Sequence, residues 1–228
     1  MTTLADRAVL VTGANRGMGR EYVRQLLERG VTTVYAAARD PHSVEVLDPR
    51  VVALPLDVTD AASVAAAAAA APDVSVLINN AGIARGASVL SPDTALLREE
   101  LETNLMGPLA MAAAFADGIA ERSGAIVNVS SVLAWLPVGA SYGVSKAALW
   151  SATDSMRLEL TPRGVQVVGV YVGLVDTDMA AFADVPKSDP ADVIRQVLDG
   201  VESGAHEVLA DQMARDARRQ LGTPLDAR

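Results

Sequence analysis

The chain has 228 residues, 50% of them hydrophobic, with 28 acidic against 19 basic side chains and no cysteine. That length and apolar content suit one domain with a large core. The net charge of −9 argues against a nucleic-acid surface, the lack of cysteine excludes disulfides and thiolate metal sites, and no apolar run is long enough to span a bilayer.

Short apolar runs predict strands near 8–12, 33–38, 51–56, 74–79, 125–130, 165–171 and 206–209. Helical patterns fall near 18–29, 60–71, 92–120 with an irregularity, 141–161, 190–202 and 211–221. The alanine run 65–71 reads as a thin helix, and 42–49 is too short for a full crossover helix. Such alternation implies an α/β domain whose parallel sheet is covered on both faces by right-handed crossovers.

In chain order, Ala8-Val9-Leu10-Val11 runs into Thr12-Gly13-Ala14-Asn15-Arg16-Gly17-Met18-Gly19, and an amphipathic segment follows. A strand, a glycine-rich turn and a helix start can cradle a diphosphate. Glycine lets the backbone approach closely, and the helix start offers free N–H groups and a positive dipole end. The spacing Gly-x-x-x-Gly-x-Gly is neither the common Gly-x-Gly-x-x-Gly fingerprint nor a P-loop. Further on, Tyr142 and Lys146 are four apart at the opening of a helical pattern, so they share one face. An ammonium beside the phenol is expected to lower the tyrosine pKa and make it an acid or base near neutral pH.

These motifs resemble the short-chain dehydrogenase/reductase family over essentially the whole chain. Thr12-Gly13-x-x-x-Gly17-x-Gly19 matches its cofactor loop, and Asn79-Asn80-Ala81-Gly82 its second signature. Asn104, Ser131, Tyr142 and Lys146 match its catalytic tetrad in order. The resemblance implies a single doubly wound Rossmann-type domain with a seven-stranded parallel sheet and helices on both faces. It implies hydride transfer between a nicotinamide cofactor and a carbonyl or alcohol. Tyr142 would exchange the proton, Ser131 would stabilise the carbonyl oxygen, and Lys146 would tune Tyr142 and hold the nicotinamide ribose. Asn104 would hold a water in a proton relay. Ser130 is the rival to Ser131, because the spacing to the tyrosine is shorter than the family usually has.

The resemblance also allots the cofactor contacts. Gly13, Asn15, Arg16, Gly17, Met18 and Gly19 would surround the diphosphate, Asp57 and Val58 the adenine, and Asn80-Ala81-Gly82 the adenine ribose. Val172-Gly173-Leu174-Val175-Asp176-Thr177 resembles the family's Pro-Gly-x-x-x-Thr with valine in place of proline, so Gly173, Val175 and Thr177 would face the nicotinamide. Members that use NAD usually end the second strand on an acid. Here Ala38 stands there, Arg39 follows, and Arg16 adds a second cation. Guanidinium groups suit a phosphate dianion, so NADP(H) is expected, with Asp40 as the countervailing charge.

An apolar substrate pocket is expected from Leu133, Trp135, Leu136, Val138, Leu174, Val175, Met179 and Phe182, under a short lid. That favours a small or medium apolar ketone or aldehyde, or the matching secondary alcohol. A 3-oxoacyl carrier-protein reductase and a catalytically silent nucleotide-binding regulator are the alternatives. The acidic run Glu99-Glu100-Leu101-Glu102 reads as a solvated helix face. A homodimer or homotetramer through the helices near 104–120 and 143–160, no metal, no membrane partner and a cytoplasmic location complete the expectations.

Overall fold

The computed structural model describes residues 2–223. Seven strands form one parallel sheet: β1 Ala8–Thr12, β2 Thr33–Ala38, β3 Val51–Pro55, β4 Val76–Asn79, β5 Ala125–Val129, β6 Gln166–Tyr171 and β7 Glu207–Leu209. The helices are α1 Gly17–Glu28, α2 Ala61–Ala70, α3 Ala95–Leu101, α4 Gly107–Glu121, α5 Ala140–Leu160, α6 Pro190–Ser203 and α7 Gln212–Gln220. The expected irregularity within 92–120 is a π-helical turn, Glu102–Met106, between α3 and α4. The segment after β2 contains only a short 3-10 turn, Pro41–Ser43.

The strands are mostly apolar because both faces of the sheet are covered, and the two asparagines among them, Asn79 and Asn128, bond each other. Side chains alternate between the faces. Val9 and Val11 pack with Tyr22 and Leu26 of α1 and with Ile194, Val197 and Leu198 of α6. Leu10, between them, packs on the other face with Met111, Phe115 and Ile119 of α4 and with Met156 and Leu160 of α5. The alanine-rich α2 buries only Val64 and Ala67 and lies along α4.

Strand order is β3-β2-β1-β4-β5-β6-β7. The chain winds outward from β1 to β3, then crosses back to place β4 against the other side of β1. The loops leaving β1 and β4 therefore diverge and open a crevice beyond their carboxyl ends, where ligands bind in open α/β sheets.

Candidate active site

The crevice is a cleft of about 970 Å³, at the upper end of the range for small-molecule sites. One wall is the glycine turn. The Thr12 hydroxyl accepts hydrogen bonds from the N–H groups of Asn80 (3.0 Å) and Ala81 (2.9 Å). Asn80 Nδ2 in turn donates to the carbonyl oxygens of Thr12 (2.9 Å) and Gly13 (3.2 Å). Asn80 thus ties the β1 turn to the β4 end, while Ala81 and Gly82 line the cleft. Asn79 is structural, as Nδ2 donates to Asn128 Oδ1 (2.9 Å) inside the sheet.

Gly19 is required by contact. A Cβ there would stand 2.0 Å from the Gly13 carbonyl oxygen. Helices α2, α6 and α7 start on aspartate side-chain caps, but α1 starts on Arg16 with no side-chain cap. The first N–H groups of α1 therefore remain available along the cleft, which Arg16, Gly17, Met18 and Gly19 line. Those features fit a diphosphate. Asn15 Nδ2 bridges to Ser43 Oγ (3.1 Å), fixing the glycine turn against the turn after β2.

Arg16 and Arg39 line the outer end of the cleft, both exposed. Arg39 forms no ion pair among the described residues. The neighbouring Asp40 is engaged elsewhere, because its carboxylate accepts from His42 N–H (3.0 Å) and caps the Pro41–Ser43 turn. Asp57 and Val58 line the same end. Asp57 Oδ1 accepts from Thr59 Oγ1 (2.7 Å) and Thr59 N–H (2.9 Å). Those bonds, and secondarily the Arg39 charge, hold its carboxyl below the usual range. The helix-start role belongs to Asp60, which caps α2.

At the inner end, a Cβ on Gly82 would lie 3.2 Å from Asn104 Oδ1 and 3.6 Å from Lys146 Nζ. The tetrad lies immediately beyond that glycine. Asn104, on the π-helical turn, accepts from Ile83 N–H (2.9 Å) and donates to the Ile83 carbonyl (2.8 Å) and to Ser145 Oγ (2.9 Å). Ser145 Oγ donates to the Tyr142 carbonyl (2.8 Å). Ser131 caps the 3-10 turn Val132–Ala134 and hydrogen-bonds the Tyr142 phenol. Ser130 turns the other way, donating to the Lys146 carbonyl (3.2 Å).

The expected depression of the Tyr142 pKa is overturned in the isolated protein. Burial pushes the phenol up to about 12; the Ser131 bond opposes this, and the Glu100 charge adds to it. Lys146 Nζ sits 5.6 Å from the Tyr142 ring centroid and donates to the Val129 carbonyl (2.9 Å). Burial lowers its own pKa to about 8. A buried amine sharing its proton with a carbonyl cannot offset the desolvation of the phenol.

Of the turn after β6, Thr177 lines the cleft and packs beside Gly17, whose Cβ position is 3.3 Å from Thr177 Cγ2. Gly173 N–H instead donates to Asp211 Oδ2 (2.7 Å), and the Val175 side chain is buried in the core. The apolar pocket needs a larger correction. Trp135 is buried, stacked on Tyr171 at 4.2 Å between ring centroids and edge-on to Trp150, and Leu133 and Leu136 pack against that cluster. Only Val138, Met179 and Phe182 of the expected set stand well exposed. Sequence reasoning missed Ser43, Thr59, Ile83, Arg85 and Thr103 along the cleft. Ile83 and Thr59 directly follow the Asn79–Gly82 signature and the Asp57-Val58 pair, whereas Ser43, Arg85 and Thr103 stand in loops and helix turns with no motif to mark them.

Residues 7–186 match the short chain dehydrogenase family, and the chain belongs to it. It is 31% identical over 232 residues to the ketoacyl reductase HetN of Nostoc sp., covering 93% of this chain and 81% of that protein. Among solved structures, a short chain dehydrogenase from Burkholderia cenocepacia in complex with NADP is 39% identical, with a TM-score of 0.93 over 100% of this chain and 97% of that one. An NADPH-bound carbonyl reductase from chicken fatty liver is 31% identical, with a TM-score of 0.80 over 86% of this chain and 91% of that one. The chain spans 64% to 66% of the length of three fungal short-chain dehydrogenases that it also matches. It is thus an oxidoreductase of this family.

Proposed function

We propose that the protein transfers a hydride between NADP(H) and a small or medium apolar ketone or aldehyde, or the matching secondary alcohol. The observation that carries this is a cleft with the Arg39 guanidinium, in no ion pair among the described residues, at one end and Gly82 at the other, with Lys146 and the Ser131-bonded phenol of Tyr142 behind that glycine. The two solved relatives described above are complexes with NADP and NADPH, which agrees with Arg39. The uncapped start of α1 and the Gly13–Gly19 approach would hold the diphosphate, and Arg16 and Arg39 the 2′-phosphate. Asp57 and Val58 would meet the adenine, and Thr177 the nicotinamide end. When bound, the nicotinamide supplies or accepts the hydride.

Tyr142, protonated at neutral pH with its pKa of about 12, donates its proton to the substrate oxygen. The Ser131 hydroxyl stabilises negative charge developing on that oxygen. Lys146 holds positive charge one turn away, and Asn104 holds Ile83 and the first turn of α5 in place. Leu90, Val138 and Phe182, exposed on the segments that follow β4, β5 and β6 at the sheet end that carries the cleft, favour an apolar substrate. The test is a panel of aldehydes and ketones followed by NADPH absorbance, with NADH in parallel. Turnover of apolar carbonyls with NADPH is expected, and binding of NADPH without turnover of any carbonyl would defeat the reading.

A ketoacyl reductase is the second reading, favoured by the similarity to HetN. It predicts higher kcat/KM for an acyl thioester carrying a 3-oxo group than for simple ketones. Homodimers or homotetramers through α4 and α5 are a further part of the proposal. Their outward faces carry Ala113, Ala114 and Val144, with Met106 on the turn just before α4, all exposed. A monomeric mass by light scattering at micromolar concentration would refute it. No described helix is long and apolar enough to cross a membrane.

A further inference from the structure

The acidic run 99–102 does not form one solvated face. Glu99 pairs with Arg85 at the surface (2.5 Å), and Glu102 is exposed along the cleft. Glu100 is 0% exposed. It stands four residues before Asn104, so the two reach the same side of the helix. Both grasp the segment that follows Gly82. Asn104 takes Ile83 through N–H and carbonyl, and Glu100 Oε1 accepts from the N–H groups of Arg85 (2.5 Å) and Gly86 (3.1 Å). Two successive amides converging on one oxygen form an anion nest, and Gly86, at φ 63, supplies the left-handed residue the nest needs.

The next residue carries the grip into the active site. The Ala87 carbonyl accepts from Ser141 N–H at 3.0 Å, one residue before Tyr142. Ser141 lies in the first turn of α5, where the N–H has no partner within the helix. The helix entry is strained at Ala140, whose φ is 46, so its geometry depends on outside support. The second carboxylate oxygen of Glu100, Oε2, is buried without a partner. Burying a carboxylate that way is costly, and an apolar side chain would fill the space at lower cost. Its charge-assisted hold on the two amides is the compensation that the structure shows.

We propose that Glu100 is a positioning residue: its carboxylate clamps segment 83–87, which fixes the first turn of α5 and so sets the approach of Tyr142 to the substrate. The proposal rests on Tyr142 acting as the proton donor. The full-length chain with NADPH would be compared with Glu100→Ala and Glu100→Gln. The readouts are kcat and KM on an aromatic aldehyde, NADPH affinity by fluorescence, and hydrogen exchange at the amides of Arg85, Gly86 and Ser141.

Glu100→Ala is expected to lower kcat about tenfold or more, through loss of two charge-assisted bonds, with NADPH affinity changed by less than about threefold. Exchange at all three amides, Ser141 included, should rise by about tenfold or more. Glu100→Gln keeps the acceptor and should recover most of kcat, with exchange at Arg85 and Gly86 still raised. Unchanged Ser141 exchange in Glu100→Ala would overturn the proposal. So would a fall in NADPH affinity matching the fall in kcat, which marks a merely structural role. Should Glu100→Ala fail to fold, a Glu100→Gln protein identical to the parent in both kcat and exchange overturns it. If the parent turns over no carbonyl, the functional reading fails, while Ser141 exchange still decides whether the clamp exists.

Discussion

At the outer end of the cleft, Arg16 and Arg39 stand exposed, and Arg39 has no ion-pair partner among the described residues. At the inner end, Lys146 and Glu100 are 4% and 0% exposed, and the Tyr142 phenol is pushed up to about 12. The outer charges are exposed to solvent, so their effect depends on a ligand charge arriving to meet them. Tyr142 and Lys146 are desolvated, so their protonation is set by the fold. One end is suited to selecting a cofactor and the other to moving a proton.

The largest effect should come from breaking the inner end. Tyr142→Phe is expected to lower kcat/KM by at least about a hundredfold, the usual contribution of a general acid, while NADPH affinity changes by less than about threefold. Activity above about a tenth of the parent's would remove Tyr142 from the chemistry.

The inner end should also cost stability. With the Lys146 pKa near 8 in the folded chain against an ordinary value of 10.5, burial penalises the charged form. The penalty is full below pH 8, where both folded and unfolded chains hold the proton. Between about 8 and 10.5 the unfolded chain binds more protons, so stability rises with pH and the penalty fades. Lys146→Met should therefore stabilise the cofactor-free protein at pH 7 by roughly 3 kcal/mol, from 1.36 kcal/mol per pKa unit, while abolishing turnover. Its advantage should vanish towards pH 10.5. Denaturant unfolding of both proteins at pH 7 and 10 measures this, and a pH-independent difference would contradict it.

Arg39→Ala tests the outer end. Loss of a charge-assisted bond to a 2′-phosphate, about 1.5–3 kcal/mol, should weaken NADPH roughly ten- to a hundredfold and leave NADH nearly unchanged. Adding Ala38→Asp should move the preference towards NADH. Equal weakening of both cofactors in kcat/KM would show that Arg39 does not read the phosphate.

The smallest effect separates two adjacent serines. Ser131→Ala should lower kcat about tenfold or more, because its hydroxyl meets the phenol and the site of developing charge. Ser130→Ala should change kcat by less than about threefold, since its hydroxyl bonds only the Lys146 carbonyl. The reverse ranking would mean that the two hydroxyls exchange roles when substrate binds.

The alternation of seven strands and their helices is legible in the chain, because apolar runs and helical periodicity are local patterns. The glycine turn is legible too, as a spacing of four and two residues encodes a backbone approach that a Cβ would block. Tyr142 and Lys146 were legible for the same reason, as helical spacing alone places them on one face. Tertiary structure decided what depends on burial and on segments distant in the chain. Trp135 reads like a pocket residue but is stacked on Tyr171 in the core. Glu100 reads like its exposed neighbours, yet one helical turn and the segment after β4 enclose it completely. The direction of the Tyr142 shift followed from the same cause. Spacing shows which groups are neighbours, whereas desolvation and the bond from Lys146 to Val129 depend on the packed sheet and helices around them.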